Sequence, residues 1–279
     1  MRVTIAGSLE EALADPAATF LAGGTDLMVG INFGRERPEH VVSIRQLEEL
    51  QQVAVDGRLT FGGGVTYTPM LQALGERSPA MVQAARTIGS PQIRNAGTMG
   101  GNLGTCSPAG DTLPVLAALD ATILLRSAGG DRRVPFSAFM FGPRKSERRA
   151  GEVVYAVEWE DAGPSQVFLK AGTRNAMVIA VANLAMVVDR TRKAVRVALG
   201  SVGPTILRAG AAEELATSLY EESGWDRPLH ASEAAATRFG ELAAAAAQPI
   251  DDQRGTARYR RHIVAVMARR ALTRTGTLA

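Results

Sequence analysis

The sequence predicts an α+β protein in two parts, a two-lobed N-terminal domain over residues 1–163 and a C-terminal domain over residues 164–279. Three observations carry this. Strand and helix signals alternate through the first 55 residues, the texture changes at Val53, and from Gly163-Pro164 a run of short strands is followed by three helical segments. Strands then helices, segregated along the chain, is the pattern of α+β architecture.

The first lobe, about 1–55, opens on a strand pattern at Arg2–Ile5. Ser8-Leu9-Glu10-Glu11 is a capping box, with a hydroxyl and a carboxylate three residues apart, and it starts a short helix ending near Asp15-Pro16. Thr19–Ala22 reads as a strand broken by Gly23-Gly24, Thr25–Gly30 as a turn or helix, and Val41–Ile44 as a third strand. The second lobe, about 56–163, is entered through a hairpin, Val53–Phe61, with an Asp56-Gly57 turn. Gly62-Gly63-Gly64 follows, then helices from about Pro69 to Gly75 and from Pro79 to Arg86. Residues 92–112 are so rich in Gly, Asn, Ser and Thr that an ordinary connection does not account for them. Ala121–Arg126 and Val153–Trp159 read as strands. In the last part Ser165–Lys170, Met177–Val188, Ala194–Leu199 and Thr205–Arg208 read as strands, although Met177–Val188 is apolar on both faces and periodicity alone leaves a buried helix open. Helices are expected at about 210–219, 231–247 and 256–273.

Composition narrows the function. Hydrophobic residues are 46% and charged residues 21% of 279, ordinary for a soluble globular chain. No stretch approaches the roughly 20 apolar residues that span a bilayer, and no secretory apolar region follows Met1, so the expected location is cytoplasmic. A single cysteine, Cys106, excludes an internal disulfide and a cysteine-ligated iron–sulfur or zinc site; with three scattered histidines, any metal redox chemistry is expected on a partner. The net charge of +3 is too small to argue for nucleic acid, but residues 253–279 hold seven arginines and no acid.

Two glycine-rich loops are the candidate sites. In Leu21-Ala22-Gly23-Gly24-Thr25-Asp26-Leu27 a strand runs into two glycines, a hydroxyl and a carboxylate. Glycine permits a sharp turn and close approach, and successive N–H groups in such a turn form an anion-binding concavity. The second loop, residues 93–111, sets Thr98, Asn102, Thr105 and Ser107 among glycines that include Gly100 and Gly101, side chains suited to phosphate and ribityl or ribose oxygens, with Asp111 able to accept from a sugar hydroxyl. Two phosphate-type loops in one chain point to a diphosphate gripped from both sides, hence to a dinucleotide such as FAD or NAD. The Gly-x-Gly-x-x-Gly fingerprint and the Walker lysine are both absent, so a fold other than the doubly wound one is expected. No Ser-His-Asp or Cys-His spacing is present.

At these loops the sequence resembles the FAD-binding medium subunit of the xanthine dehydrogenase and carbon monoxide dehydrogenase family of molybdenum hydroxylases. The resemblance rests on Ala22-Gly-Gly-Thr-Asp26, on Thr98-Met-Gly-Gly-Asn102 with Gln92-Ile-Arg-Asn95 before it and Ser107-Pro-Ala-Gly-Asp111 after it, on Lys170-Ala-Gly-Thr-Arg174, and on Asp251, Arg254, Tyr259, Arg260 and Arg261 near the end. It implies a two-lobed FAD domain of the vanillyl-alcohol-oxidase type, followed by a small antiparallel sheet with helices. FAD would be held at Leu21, Ala22, Gly23, Gly24, Thr25, Asp26, Leu27, Thr98, Gly100, Gly101, Asn102, Thr105, Ser107, Asp111 and Lys170, the first and second loops on the diphosphate, Asp111 on the ribose or ribityl side, and Lys170 near the isoalloxazine ring. It further implies a small subunit with [2Fe-2S] clusters and a large molybdopterin subunit, arranged as a dimer of heterotrimers, with electrons running from molybdenum through the clusters to FAD and on to NAD or another acceptor. Substrate hydroxylation, of a purine or N-heterocycle, would fall to the large subunit. Where the family often has an acid shortly after Arg174, this chain has Met177-Val178. A stand-alone flavin oxidoreductase of the same superfold and a non-catalytic nucleotide-binding module are the alternative readings. Cys106 reads as a small residue lining the second loop rather than a flavin attachment point.

Overall fold

The computed structural model describes residues 1–277; the final two residues, which close both the basic segment 253–279 and the expected C-terminal domain, lie outside the described residues. The elements in chain order are β1 (Arg2–Ile5), α1 (Leu9–Leu13), β2 (Thr19–Leu21), α2 (Leu27–Asn32), β3 (His40–Ser43), β4 (Val53–Asp56), β5 (Arg58–Gly62), α3 (Tyr67–Leu74) and α4 (Pro79–Arg86). Then come α5 (Pro91–Arg94), α6 (Met99–Thr105), α7 (Thr112–Ala118), β6 (Thr122–Ser127), β7 (Gly130–Pro135), β8 (Met140–Gly142), β9 (Lys145–Ser146) and β10 (Val153–Glu160). The chain closes with β11 (Gln166–Ala171), β12 (Ala182–Asp189), β13 (Ala194–Gly200), β14 (Leu207–Arg208), α8 (Gly210–Ser223), α9 (Glu233–Ala246) and α10 (Ala257–Thr277). These divide into two compact units, Met1–Ala73 with Gly89–Cys106 and Ala121–Glu160, and Leu74–Ile88 with Ser107–Asp120 and Asp161–Ala279.

The first unit contains two main sheets. A parallel three-stranded sheet has the order β1-β3-β2, and its core is Ala6, Leu9, Ala12, Leu13, Val42, Ile44, Leu47 and Leu50. The helix between β1 and β2 is started by the expected cap: the Glu11 N–H donates to Ser8 Oγ at 3.1 Å, while Glu11 Oε2 accepts from Gly7 N–H at 2.7 Å. An antiparallel five-stranded sheet has the order β4-β5-β10-β6-β7, with Phe61 and Trp159 stacked at 5.3 Å between ring centroids. The glycines after β5 seat this sheet against its surroundings. A Cβ on Gly63 would lie 1.9 Å from the Val154 carbonyl oxygen, and one on Gly62 would lie 2.2 Å from that of Leu50.

The second unit is one antiparallel sheet, β11-β12-β13-β14, between two helical layers. Alternate residues of β12 (Ala182, Leu184, Met186 and Val188) join the core formed with α8, α9 and α10. On the other side α7 packs on β12 and β13, and α4 packs on β11. Every residue of β12 is buried. That is why the stretch read as apolar on both faces: the strand is covered twice, and the fold resolves it as a strand from Ala182, with residues 173–181 outside it.

Three expectations change. The segment 92–112 contains α5 and α6, two short helices whose glycine content hides any periodicity. Helix α7 was not expected, because all seven of its residues are buried and a helix buried all round has no polar face to mark it. The strands β7, β8 and β9 were also not expected, since Gly130–Pro135 is mostly polar and the other two are two or three residues long.

Candidate functional site

The two glycine loops meet within the first unit. Strand β2 ends at Leu21, whose carbonyl accepts from Ile44 N–H at 2.9 Å, so the strand delivers Ala22, Gly23 and Gly24 at the sheet's edge. A Cβ on Gly23 would lie 1.8 Å from the Ala96 carbonyl oxygen and 2.5 Å from its carbon. The first loop therefore lies backbone to backbone on the residues leading into α6. Gly24 takes φ +71°, the left-handed conformation in which glycine is unstrained, and its carbonyl accepts from Met28 N–H at 3.2 Å to begin α2. Thr25 and Leu27 are half-buried on either side of Asp26, the N-cap residue of α2, whose side chain does not cap it.

The second loop is fixed by a third glycine segment. Met99 N–H donates to Val65 O at 3.3 Å and Gly100 N–H to Gly63 O at 3.0 Å; a Cβ on Gly100 would come within 2.5 Å of that same oxygen. Thr98 is the N-cap of α6, buried, with its Oγ1 accepting from Gly101 N–H at 2.9 Å. Its hydroxyl oxygen is thus engaged in starting the helix. Gly101 and Gly104 are exposed on α6; a Cβ on Gly101 would meet only Thr98 Oγ1, at 3.0 Å, and one on Gly104 would meet nothing within 4 Å. Asn102 is half-buried on the same helix.

A polar cluster ties the loops together. Asp26 Oδ2 accepts from Thr105 Oγ1 at 3.2 Å and from Arg144 Nη2 at 3.3 Å, and Arg144 Nη1 donates to Glu36 Oε1 at 2.5 Å. Arg144 itself has φ +59° and its N–H reaches Cys106 O at 3.3 Å. Asp26, the exposed acid of the first loop, thereby shares with Glu36 one cation from the turn between β8 and β9. No sequence signal marks Arg144, which reaches Asp26 across 118 positions of chain. Gly63 had a visible signal, the run of three glycines after a strand. Cys106 is buried, and burial pushes its thiol up to about 11, against the Ser146 hydrogen bond and the nearby Arg148. It is a protonated thiol at neutral pH and a poor nucleophile.

The remaining three candidates, Ser107, Asp111 and Lys170, belong to the second unit. Ser107 Oγ accepts from Ala109 N–H at 3.3 Å, a local turn that leads to Asp111 at the start of α7. Lys170, on β11, places Nζ 2.5 Å from Asp111 Oδ2 and 3.3 Å from Thr87 O. Both side chains are buried, at 10% and 6% exposure. Asp111 also accepts from Thr87 Oγ1 at 3.0 Å and from Asn183 Nδ2 at 3.1 Å. Burial raises the Asp111 carboxyl above the ordinary carboxylate value, and the Lys170 charge with these hydrogen bonds pulls it back. Lys170 uses two of its three N–H bonds inside the protein, which leaves one for a ligand. Beyond β11, Arg174 folds back on its own loop: Nε donates to Ala176 O at 3.0 Å and to Met177 O at 3.2 Å, and Met177 is exposed with φ +50°.

Among the described residues no group of three or more His, Cys, Asp or Glu side chains is placed to hold a metal ion, and no helix is long and apolar enough to cross a membrane.

Two family models and several known proteins match the chain. A family model described as the FAD binding domain in molybdopterin dehydrogenase matches residues 1–159, and one described as the CO dehydrogenase flavoprotein C-terminal domain matches residues 167–275. The nicotinate dehydrogenase FAD-subunit of Eubacterium barkeri is 37% identical over 175 residues, 60% of this chain; the match spans 59% of that relative, less than two thirds of its length. The xanthine dehydrogenase FAD-binding subunit of Escherichia coli O157:H7 is 31% identical over 223 residues, 76% of each chain. In the solved carbon monoxide dehydrogenase of Hydrogenophaga pseudoflava, one chain superposes with a TM-score of 0.87 at 26% identity, covering 99% of this chain and 96% of that one.

Proposed function

The chain belongs to the family of FAD-binding subunits of molybdopterin dehydrogenases, and from that membership we propose that it carries electrons, through FAD, from [2Fe-2S] clusters on a small partner subunit to NAD or another acceptor. The organic substrate, a purine or N-heterocycle, would be hydroxylated on a large molybdopterin subunit. Its relatives bear the names of nicotinate and xanthine dehydrogenase FAD subunits, which supports that substrate class. The likeness to the family supports a cytoplasmic dimer of heterotrimers as the assembled form.

The single observation that carries the flavin reading is the exposed, glycine-lined face of α6 beside a loop whose acid is paired with arginine. The residues there fit a diphosphate. Gly101 and Gly104 leave the backbone open to close approach, the Thr25 hydroxyl lies by Gly97 on the segment leading into α6, and Arg144, shared between Asp26 and Glu36, lessens the repulsion of the first loop's carboxylate toward a phosphate. Gly23 lets the first loop pack on the Ala96 backbone, Gly100 packs on Gly63, and Thr98 caps α6. When bound, FAD supplies the two-electron to one-electron conversion that links a dehydrogenase to iron–sulfur clusters. Ser107 and Asp111 shape the start of α7, and Asp111 holds Lys170 by a buried ion pair. Because that pair is neutral overall, Lys170 acts on the ring side as a fixed N–H donor more than as a free positive charge.

The test is purification of the native complex. Flavin and iron–sulfur absorption together, with chains of three sizes, is the expected result. Turnover of an organic substrate by this chain alone, without partners, would instead support a stand-alone flavin oxidoreductase.

A further inference from the structure

The last helix carries a charge pattern that cofactor binding does not use. One side of α10 is core: Val264, Met267, Ala268, Ala271 and Leu272 are buried with the sheet and α9. The other side exposes Arg258, Arg261, His262, Arg269, Arg270 and Arg274. At 1.5 Å per residue these span about 24 Å. Two further arginines of the segment, Arg254 and Arg260, are paired with Asp252. The five exposed arginines have no ion-pair partner among the described residues. Residues 253–279 carry +7 in a chain of net +3, so the rest carries −4. The charge is segregated, and it is not compensated locally: on the adjacent α9, Glu241 is taken by Arg238. Arg269 is also partly ordered before any partner arrives, because its stem lies over Gly240, its Cγ 3.0 Å from where a Cβ there would be.

We propose that the exposed face of α10 is a docking surface for a carboxylate-rich face of another subunit of the complex. This rests on the heteromeric reading above. Every strong cation on this face is arginine, whose planar fork matches carboxylates two bonds at a time and loses less freedom on binding than lysine. The apolar side of α10 is spent on this chain's own core, and among the described residues Tyr259 is the one large apolar side chain the helix exposes, too little to anchor it in a lipid surface. The family is one of subunits of heteromeric dehydrogenases, which favours a protein face over a nucleic acid for this stripe.

The experiment compares the full complex containing the unaltered chain with one in which it carries R258E, R261E and R269E together. Subunit dissociation is followed by light scattering across a salt series, with flavin content and thermal melting as controls on folding. Exposed ion pairs are each worth up to about 1 kcal/mol, so losing three should weaken assembly about tenfold or more, with a flatter salt dependence than the unaltered complex shows. Equal affinity and equal salt dependence in the two complexes would overturn the proposal. So would salt-sensitive self-association of the isolated chain that the triple variant abolishes, or loss of binding only to DNA or to anionic phospholipid vesicles. If the unaltered chain co-purifies with no other subunit, it is the heteromeric reading that fails. If partners co-purify and the variant holds them equally well, the docking face alone fails.

Discussion

Gly23→Ala is expected to abolish flavin binding. The added Cβ would lie 1.8 Å from the Ala96 carbonyl oxygen, and neither side of that contact is a side chain that can swing away. One backbone must move, and the movement separates the first loop from the segment that delivers Thr98 and α6. Overpacking of this kind costs about 1–3 kcal/mol in a packed core. The loss in the ligand should be larger, because both loops are proposed to face the same diphosphate. The flavin-to-protein absorbance ratio of the purified variant should fall to less than about a tenth of the unaltered value, taking tenfold as the least that about 1.4 kcal/mol would give. Gly34→Ala is the control. Gly34 has positive φ, at +67°, which Gly23 does not, but a Cβ there meets nothing within 4 Å, so the variant should lose only about 1 kcal/mol of stability and keep its flavin. Normal flavin content in Gly23→Ala would refute the loop pairing as the basis of the site.

Asp111→Ala should be the most destabilising single change in the second unit. It removes the carboxylate from Lys170, which is 10% exposed, and takes an acceptor from Asn183 Nδ2, while Thr87 Oγ1 keeps the Ala84 carbonyl at 2.8 Å. Breaking a buried ion pair from one side costs about 3–5 kcal/mol, because the remaining charge has neither water nor partner. Asp111→Leu combined with Lys170→Met removes both charges and should recover most of that loss, since a buried pair replaced by apolar groups is often neutral in stability. Urea denaturation of Asp111→Leu, Lys170→Met and the double variant closes the cycle. Additive losses would show that the two side chains do not depend on each other. Flavin binding tests the role proposed for Lys170: the double variant should fold yet bind FAD more weakly than the unaltered chain.

Much of this was legible in the chain. The capping box at Ser8, the Asp-Gly hairpin and helix α4 are local features, set by residues within a few positions of one another, and they appear where the sequence places them. The glycine pairs at 23–24 and 100–101 were also visible, but with a different emphasis. By type they permit a ligand to approach; in the fold Gly23 and Gly100 also let backbone approach backbone, while Gly101 and Gly104 keep the open face. What stayed hidden depends on distant contacts. Arg144 is one arginine among many until the fold carries it to Asp26, and α7 is an apolar run whose helical nature follows from burial on every side. Asp111 illustrates the same limit: its carboxylate suits a sugar hydroxyl by type, yet the fold gives it Lys170, Thr87 and Asn183 as partners.

The central claim is that this chain holds FAD. Its most direct test is titration of the purified, flavin-depleted chain with FAD, following the quenching of flavin fluorescence. Saturable binding of about one FAD per chain is predicted, with Gly104→Leu, a change into open space that leaves α6 folded, weakening it about tenfold or more. A correctly folded chain that takes up no FAD, or one whose affinity is untouched by filling the exposed face of α6, would contradict the account.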